Sequence, residues 1–488
     1  MSRELPEKPN LQYLKKQAKE LLRTLRQGKL ADAQHALAAE YGFATWAKLK
    51  AYVEALGQSP AEALKAAVCD SDAARVREVL DRHLELRAKI DDPLPGYGFG
   101  QHALFAAVQR SDRATIDVLL GAGANIRKRT EWWAGGFGLL DDCDPSMVAF
   151  LTERGAVVDA HAASRLGMMD RLRELVAADP GVVHARGGDG QTPLHFASTV
   201  EVAEFLLAHG ADIDARDVDH NSTPAQYMLR VEHRRHYPRD RQEVARYLVS
   251  RGCSTGILMA AALGDAGLVR KHLDADPQSI RMNVSEEWFP KRQPHGGGTI
   301  YIWMLGAHRT AHSVARDFGH EEVFQLLMER TPEDLKLALA CELGDEAVFH
   351  EFLSRHPDAS KTLSEADQRK LPDAAQTNNT KAVQLMLEAG WPVNTPGDAG
   401  ATALHWAGFH GNAEMARQIL RFHPNLEQKS RDYEGTALSW AVYGSGNGWH
   451  RDTGDYAGTV RAMLEAGAIM PPHAEELEPS EAVLELLP

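Results

Sequence analysis

Cysteine is scarce in this chain and scattered: Cys69, Cys143, Cys253 and Cys341 are the four among 488 residues. No two form a CxxC pair, so neither a disulfide framework nor a zinc ribbon is indicated, and free thiols in a reducing compartment are expected. Long apolar runs are missing too. The longest, around GILMAAALG at 256–264, is far too short to span a bilayer, and MSRELPEKPN has no signal-peptide core. A soluble, cytoplasmic protein with no membrane partner is the expectation. Positive charge is in deficit, with a formal net charge of −14. That argues against nucleic acid as a partner, since such affinity rests largely on Lys and Arg displacing counterions. No GxSxG, HExxH or GxxxxGK[ST] segment is present either, so no nucleophile elbow, zinc-protease helix or phosphate loop is indicated, and no cofactor is expected.

What is present is a period. Apolar segments close on Gly123, Gly155, Gly210, Gly252, Gly390 and Gly467, where glycine suits the left-handed end of a helix. Asp179-Pro180, Asp276-Pro277, His356-Pro357 and His423-Pro424 act as a second kind of stop, because proline cannot donate the hydrogen bond of another turn. With less clear ends near Leu80 and Arg330, about twelve stops lie between residues 61 and 469, a mean spacing of roughly 34 residues. Helix starts agree. In GQTPLHFA, Thr192 is placed to cap a helix and Pro193 to fill its first turn; Thr223-Pro224 repeats the device, and Thr402 and Thr436 keep the cap without the proline.

These segments, TPLH at 192–195, TALH at 402–405 and GHEEVFQLLME at 319–329, resemble the ankyrin repeat family. The resemblance covers about 61–469 and implies an all-α solenoid of about twelve helical hairpins, each a pair of antiparallel helices, with projecting finger loops. It also implies that His195, His405 and His320 bond structurally between neighbouring repeats. Each hairpin buries too little surface to stand alone, so neighbours must complete its core. Two departures predict short or bent repeats: 135–159 lacks a TPLH-like start, and FASTVEVAEF at 196–205 lacks the usual glycine between helices. The organisation expected is a helical leader over 1–58, the repeat array over 61–469 and a tail over 470–488.

In the leader, Leu11, Leu14, Ala18, Leu21 and Leu25 share one helical face. Lys15, Lys16, Lys19, Arg23 and Arg26 form either a patch for nucleic acid or an acidic partner, or the solvated face of a leader that caps the array, the commoner arrangement. This leader also resembles segments that precede ankyrin repeats in some bacterial proteins. The fingers carry unusual aromatics: Tyr97, Phe99, Trp132, Trp133, Trp288, Phe289 and Tyr433. Such rings either anchor a protein or peptide partner or fold back onto the inner helices, and the long segment 283–309 has room to fold back.

One hairpin is interrupted. From Thr436 to Gly467 is 31 positions, against 18 from Thr192 to Gly210, so GSGNGWHRDTGDY is an insertion between two helices. Stacking on the preceding turn, GFHGN, brings His410 toward His450, Asp452 and Asp455, parts that suit either a divalent metal or a base oriented by a carboxylate. The opposing reading has Trp449 and Tyr456 plug the array while His450, Arg451 and the aspartates form surface ion pairs. RVEHRRHYPRDRQ at 230–242 holds similar residues in a second insertion. The leading functional reading is a non-catalytic scaffold gripping a protein or peptide. The competing one is an enzyme or small-ligand or metal-binding protein that uses the inserted loop of the last repeat. A closed polar cleft would favour the second, an open groove the first.

Overall fold

The computed structural model describes residues 3, 5, 6, 9, 11–24, 30–57, 59–229 and 241–487. Among them no strand forms, only isolated β-bridges such as Asn283 to Thr310, and the fold is an all-α repeat solenoid. The chain divides into two compact units: residues 58–330, and residues 1–57 together with 331–488.

In the 58–330 unit, helical hairpins follow one another. Helix Ala103–Gln109 turns at Ser111 into Arg113–Gly121, whose first turn is capped by the Asp112 carboxylate on the Thr115 N–H. Inner faces are small and apolar; Leu104, Ile116 and Leu119 are fully buried, and a side chain of that size gains about 1.5–3 kcal/mol from burial. Both irregular repeats depart as their sequences suggest. Before helix Val148–Glu153 the expected first helix is replaced by an irregular run over 134–144. Buried Arg165 holds that run by donating to the Leu140 and Cys143 carbonyls, and Arg129 bridges Asp141 at 2.7 Å and Asp159 at 2.8 Å. In the other irregular repeat TPLH forms only a 3-10 turn, Pro193–Phe196, because Thr199 already caps helix Val200–Ala208 and leaves no room for an α-helix.

In the other unit, hairpins such as Ala403–His410 with Ala413–Leu420 and Ala437–Asn447 with Tyr456–Glu465 share one core. The leader helices Leu11–Thr24, Leu30–Glu40 and Trp46–Gly57 have their own small core around Leu14, Leu37, Trp46 and Leu49. Leu484 of the tail packs on that core, and Lys19 pairs with Glu475 at 2.5 Å. Of the basic face, Lys16 and Arg23 are exposed, whereas Lys19 is engaged by the tail. Leu25 and Arg26 lie outside the described residues, as does all of the 230–242 insertion except its last two residues.

No described helix is long and apolar enough to cross a membrane.

Candidate functional site

The repeat histidines are structural. Thr192 N–H donates to His195 Nδ1 at 3.0 Å, so His195 carries its proton on Nε2 and gives it to the Ser222 carbonyl of the next finger. His405 repeats the pattern with Thr402 and Gly435, and His320 Nε2 lies 3.0 Å from the Ala262 carbonyl. Burial pushes His195 down to about 3 and His405 to about 4, so neither serves as a base near neutral pH.

Fingertips of the 58–330 unit are stitched together through their backbones. Glu131 N–H donates to the Gly100 carbonyl, Asp189 N–H to Gly135, and Val218 N–H to Asp189. Phe99 and Asp189 occupy equivalent tips, each left-handed with φ near 60°. On the next tip the Asp217 carboxylate accepts the His220 and Ser222 N–H groups at 2.7 and 2.6 Å, fixing the turn that presents Asp219 and His220.

Over these tips folds the long segment 283–309. Val284 and Arg309 close its base through Val284 N–H to the Arg309 carbonyl, and Phe289 packs edge-on against Tyr301 at 5.3 Å. Its glycine run makes the docking contacts. Gly297 N–H donates to Asp219 Oδ1, the Gly298 carbonyl lies 2.8 Å from His220 Nδ1, and Ile300 N–H donates to Ser222 Oγ. A Cβ on Gly297 would sit 2.5 Å from His220 Cε1, so only glycine permits this approach.

Between tips and segment lies a cavity of about 560 Å³. Phe99, Trp132, Phe137 and Trp303 form its apolar wall, and Asp141, Asp142, Asp189, Asp219 and His220 its polar side. The Trp132 indole N–H is buried and has no acceptor among the described residues. A second cavity of about 370 Å³, which includes Trp288, Phe289 and Tyr301, shares His220 with the first.

The aromatics singled out from the sequence therefore separate. Phe99 and Trp132 pair at 4.7 Å in the wall of the larger cavity, and Trp133 stands edge-on to His295 at 4.2 Å. Trp288 and Phe289 line the smaller one. Tyr97 turns inward, its hydroxyl 2.8 Å from Arg110 and 3.1 Å from Cys69 Sγ. Tyr433, 72% exposed, leans on Trp440 in the other unit.

The insertion of the last hairpin has a different character. His410 and His450 approach to 5.1 Å between ring centres, but no three of His410, His450, Asp452 and Asp455 bring ligand atoms within 4.8 Å of one another. His410 Nε2 meets the Gln376 carbonyl, and burial pushes that ring to about 4. Asp455 caps the following helix through Gly458 N–H, Asp452 faces solvent beside Arg451, and the Tyr456 hydroxyl donates to the Phe409 carbonyl. Trp449 packs edge-on against Phe409 at 5.1 Å and remains 67% exposed.

Asp189, Asp219, His220 and Trp303 belong to no motif that marks them in the sequence. The one signal for them was HGGGT at 295–299, a run whose use is close backbone approach.

Helical hairpins with fingers bonded tip to tip define a stacked-repeat protein. Models of the family described as ankyrin repeats match residues 189–218, 337–432 and 371–448. The chain is 33% identical over 81 residues to the Notch-regulated ankyrin repeat-containing protein of Xenopus tropicalis, which is 16% of this chain and 70% of that protein. It is 47% identical over 49 residues to the serine/threonine-protein kinase VIK of Arabidopsis thaliana, covering 9% of this chain and 11% of that one. This chain belongs to the ankyrin repeat family. Ankyrin arrays are in general protein-interaction scaffolds.

Proposed function

We propose that the protein is an interaction scaffold that grips a protein or peptide segment at the finger cavity of the 58–330 unit. One observation carries this reading: Phe99, Trp132, Phe137 and Trp303, from separate fingers and the long segment, face a single cavity instead of scattering. Clustered aromatics in a concave site are the usual anchors of binding energy. At about 560 Å³ the cavity holds more than one side chain. The unsatisfied Trp132 indole N–H supplies a donor for a partner carbonyl.

The test is selection of a displayed peptide library on the intact protein. Trp303, 58% exposed, can be truncated with little loss of packing. Trp303→Ala is expected to weaken the selected peptides by about 2 kcal/mol, roughly 30-fold, at unchanged melting temperature. Wild-type affinity in both Trp303→Ala and Phe99→Ala would refute this location.

A further inference from the structure

We propose that Asp189, Asp219 and His220 bind one divalent cation of the zinc or manganese type on the polar side of the finger cavity. The site rests on the orientation of His220. Its Nδ1 lies 2.8 Å from the Gly298 carbonyl, which only accepts, so Nδ1 carries a proton. In the neutral ring the lone pair is then on Nε2. That nitrogen faces Asp219 Oδ2 at 3.6 Å and Asp189 Oδ2 at 3.9 Å, both too long for hydrogen bonds. The His220 side chain is only 10% exposed, so water does little to separate these charges. A lone pair aimed at two carboxylate oxygens in a nearly dry site offers a cation three converging donors.

The surroundings hold the three groups ready. Gly297 N–H fixes the other oxygen of Asp219 at 2.8 Å, and Gln191 Nε2 lies 3.3 Å from Asp189 Oδ2. A histidine that donates from one ring nitrogen to a backbone carbonyl and presents the other is the usual outer support of a metal ligand. Donor atoms about 2.1 Å from one ion lie roughly 3 to 3.6 Å apart at neighbouring positions, and the two imidazole-to-carboxylate distances, 3.6 and 3.9 Å, are close to that range. Two carboxylates and an imidazole favour zinc or manganese over calcium or magnesium, which prefer all-oxygen ligands. Three protein ligands leave positions free, and the cavity beside Trp132 and Trp303 is lined by the same three residues. A donor group arriving there could complete the coordination.

The whole chain, stripped with a chelator and dialysed, should be titrated calorimetrically with zinc chloride and manganese chloride. One site per chain is expected, weakened about 100-fold or more in His220→Ala and in Asp219→Asn. Asp219→Asn keeps the shape and the acceptor for Gly297. His473→Ala, in the separate His473, Glu475, Glu476 group, should leave the tight site intact. Absence of a stoichiometric site in the wild type would overturn the proposal. So would a site kept by Asp219→Asn at wild-type affinity. Should both variants fail to fold, cobalt titration of the wild type decides: a one-to-one visible spectrum of a low-symmetry oxygen and nitrogen site supports the proposal, and its absence overturns it.

Discussion

His195 and His405 show how one residue type is used twice over in a repeat, and what acid should do to it. Each accepts from a threonine N–H and donates to the next finger, so both must stay neutral in the fold. Burial lowers their folded values to about 3 and about 4, against about 6.5 in the unfolded chain. The stability they contribute is therefore fully present above pH 6.5. It is lost as pH falls from there toward 4, because the unfolded chain takes up protons that the folded one refuses, by up to about 1.4 kcal/mol per pH unit for each histidine. The melting temperature should fall over that window, and His405→Gln should show a shallower fall; identical slopes would contradict the assignment. These histidines were legible because their motif repeats. Asp189, Asp219 and His220 were not, since in the sequence they read as ordinary polar fingertips. What sets them apart is a carbonyl 78 positions downstream of His220, and no spacing rule connects the two.

At the level of elements, the length of 283–309 was visible in the sequence, and folding back was one of two readings open for it. Its landing place was hidden, because it depends on what a glycine lacks. Gly297→Ala puts a methyl into the His220 ring, at a cost of about 1–3 kcal/mol if the segment stays docked. The expected result is undocking instead: limited trypsin digestion should cut at Lys291 and Arg292 faster than in the wild type, with the helical signal unchanged. Equal cleavage would show that the segment is held elsewhere. The insertion of the last hairpin was equally visible in length, yet its polar residues spread into a helix cap, a carbonyl contact and solvent. Proximity along the chain brought the groups near one another but did not decide what each one bonds. The short Pro193–Phe196 turn follows from local chemistry, a threonine cap arriving too early for a helix.

For the molecule as a whole, periodic stops predicted an all-α repeat array, because a solenoid is built from local rules repeated. A binding site on such an array is where the rules are broken. In the 58–330 unit, the irregular run over 134–144 and the long segment 283–309 are both departures, and both supply walls of one cavity. The direct measurement is hydrogen exchange on the intact chain with and without a saturating selected peptide. The account predicts new protection at 97–105, 130–137, 187–191, 217–222 and 293–305, with 432–456 unchanged. Protection confined to 432–456, or to the helices away from the fingers, would contradict it.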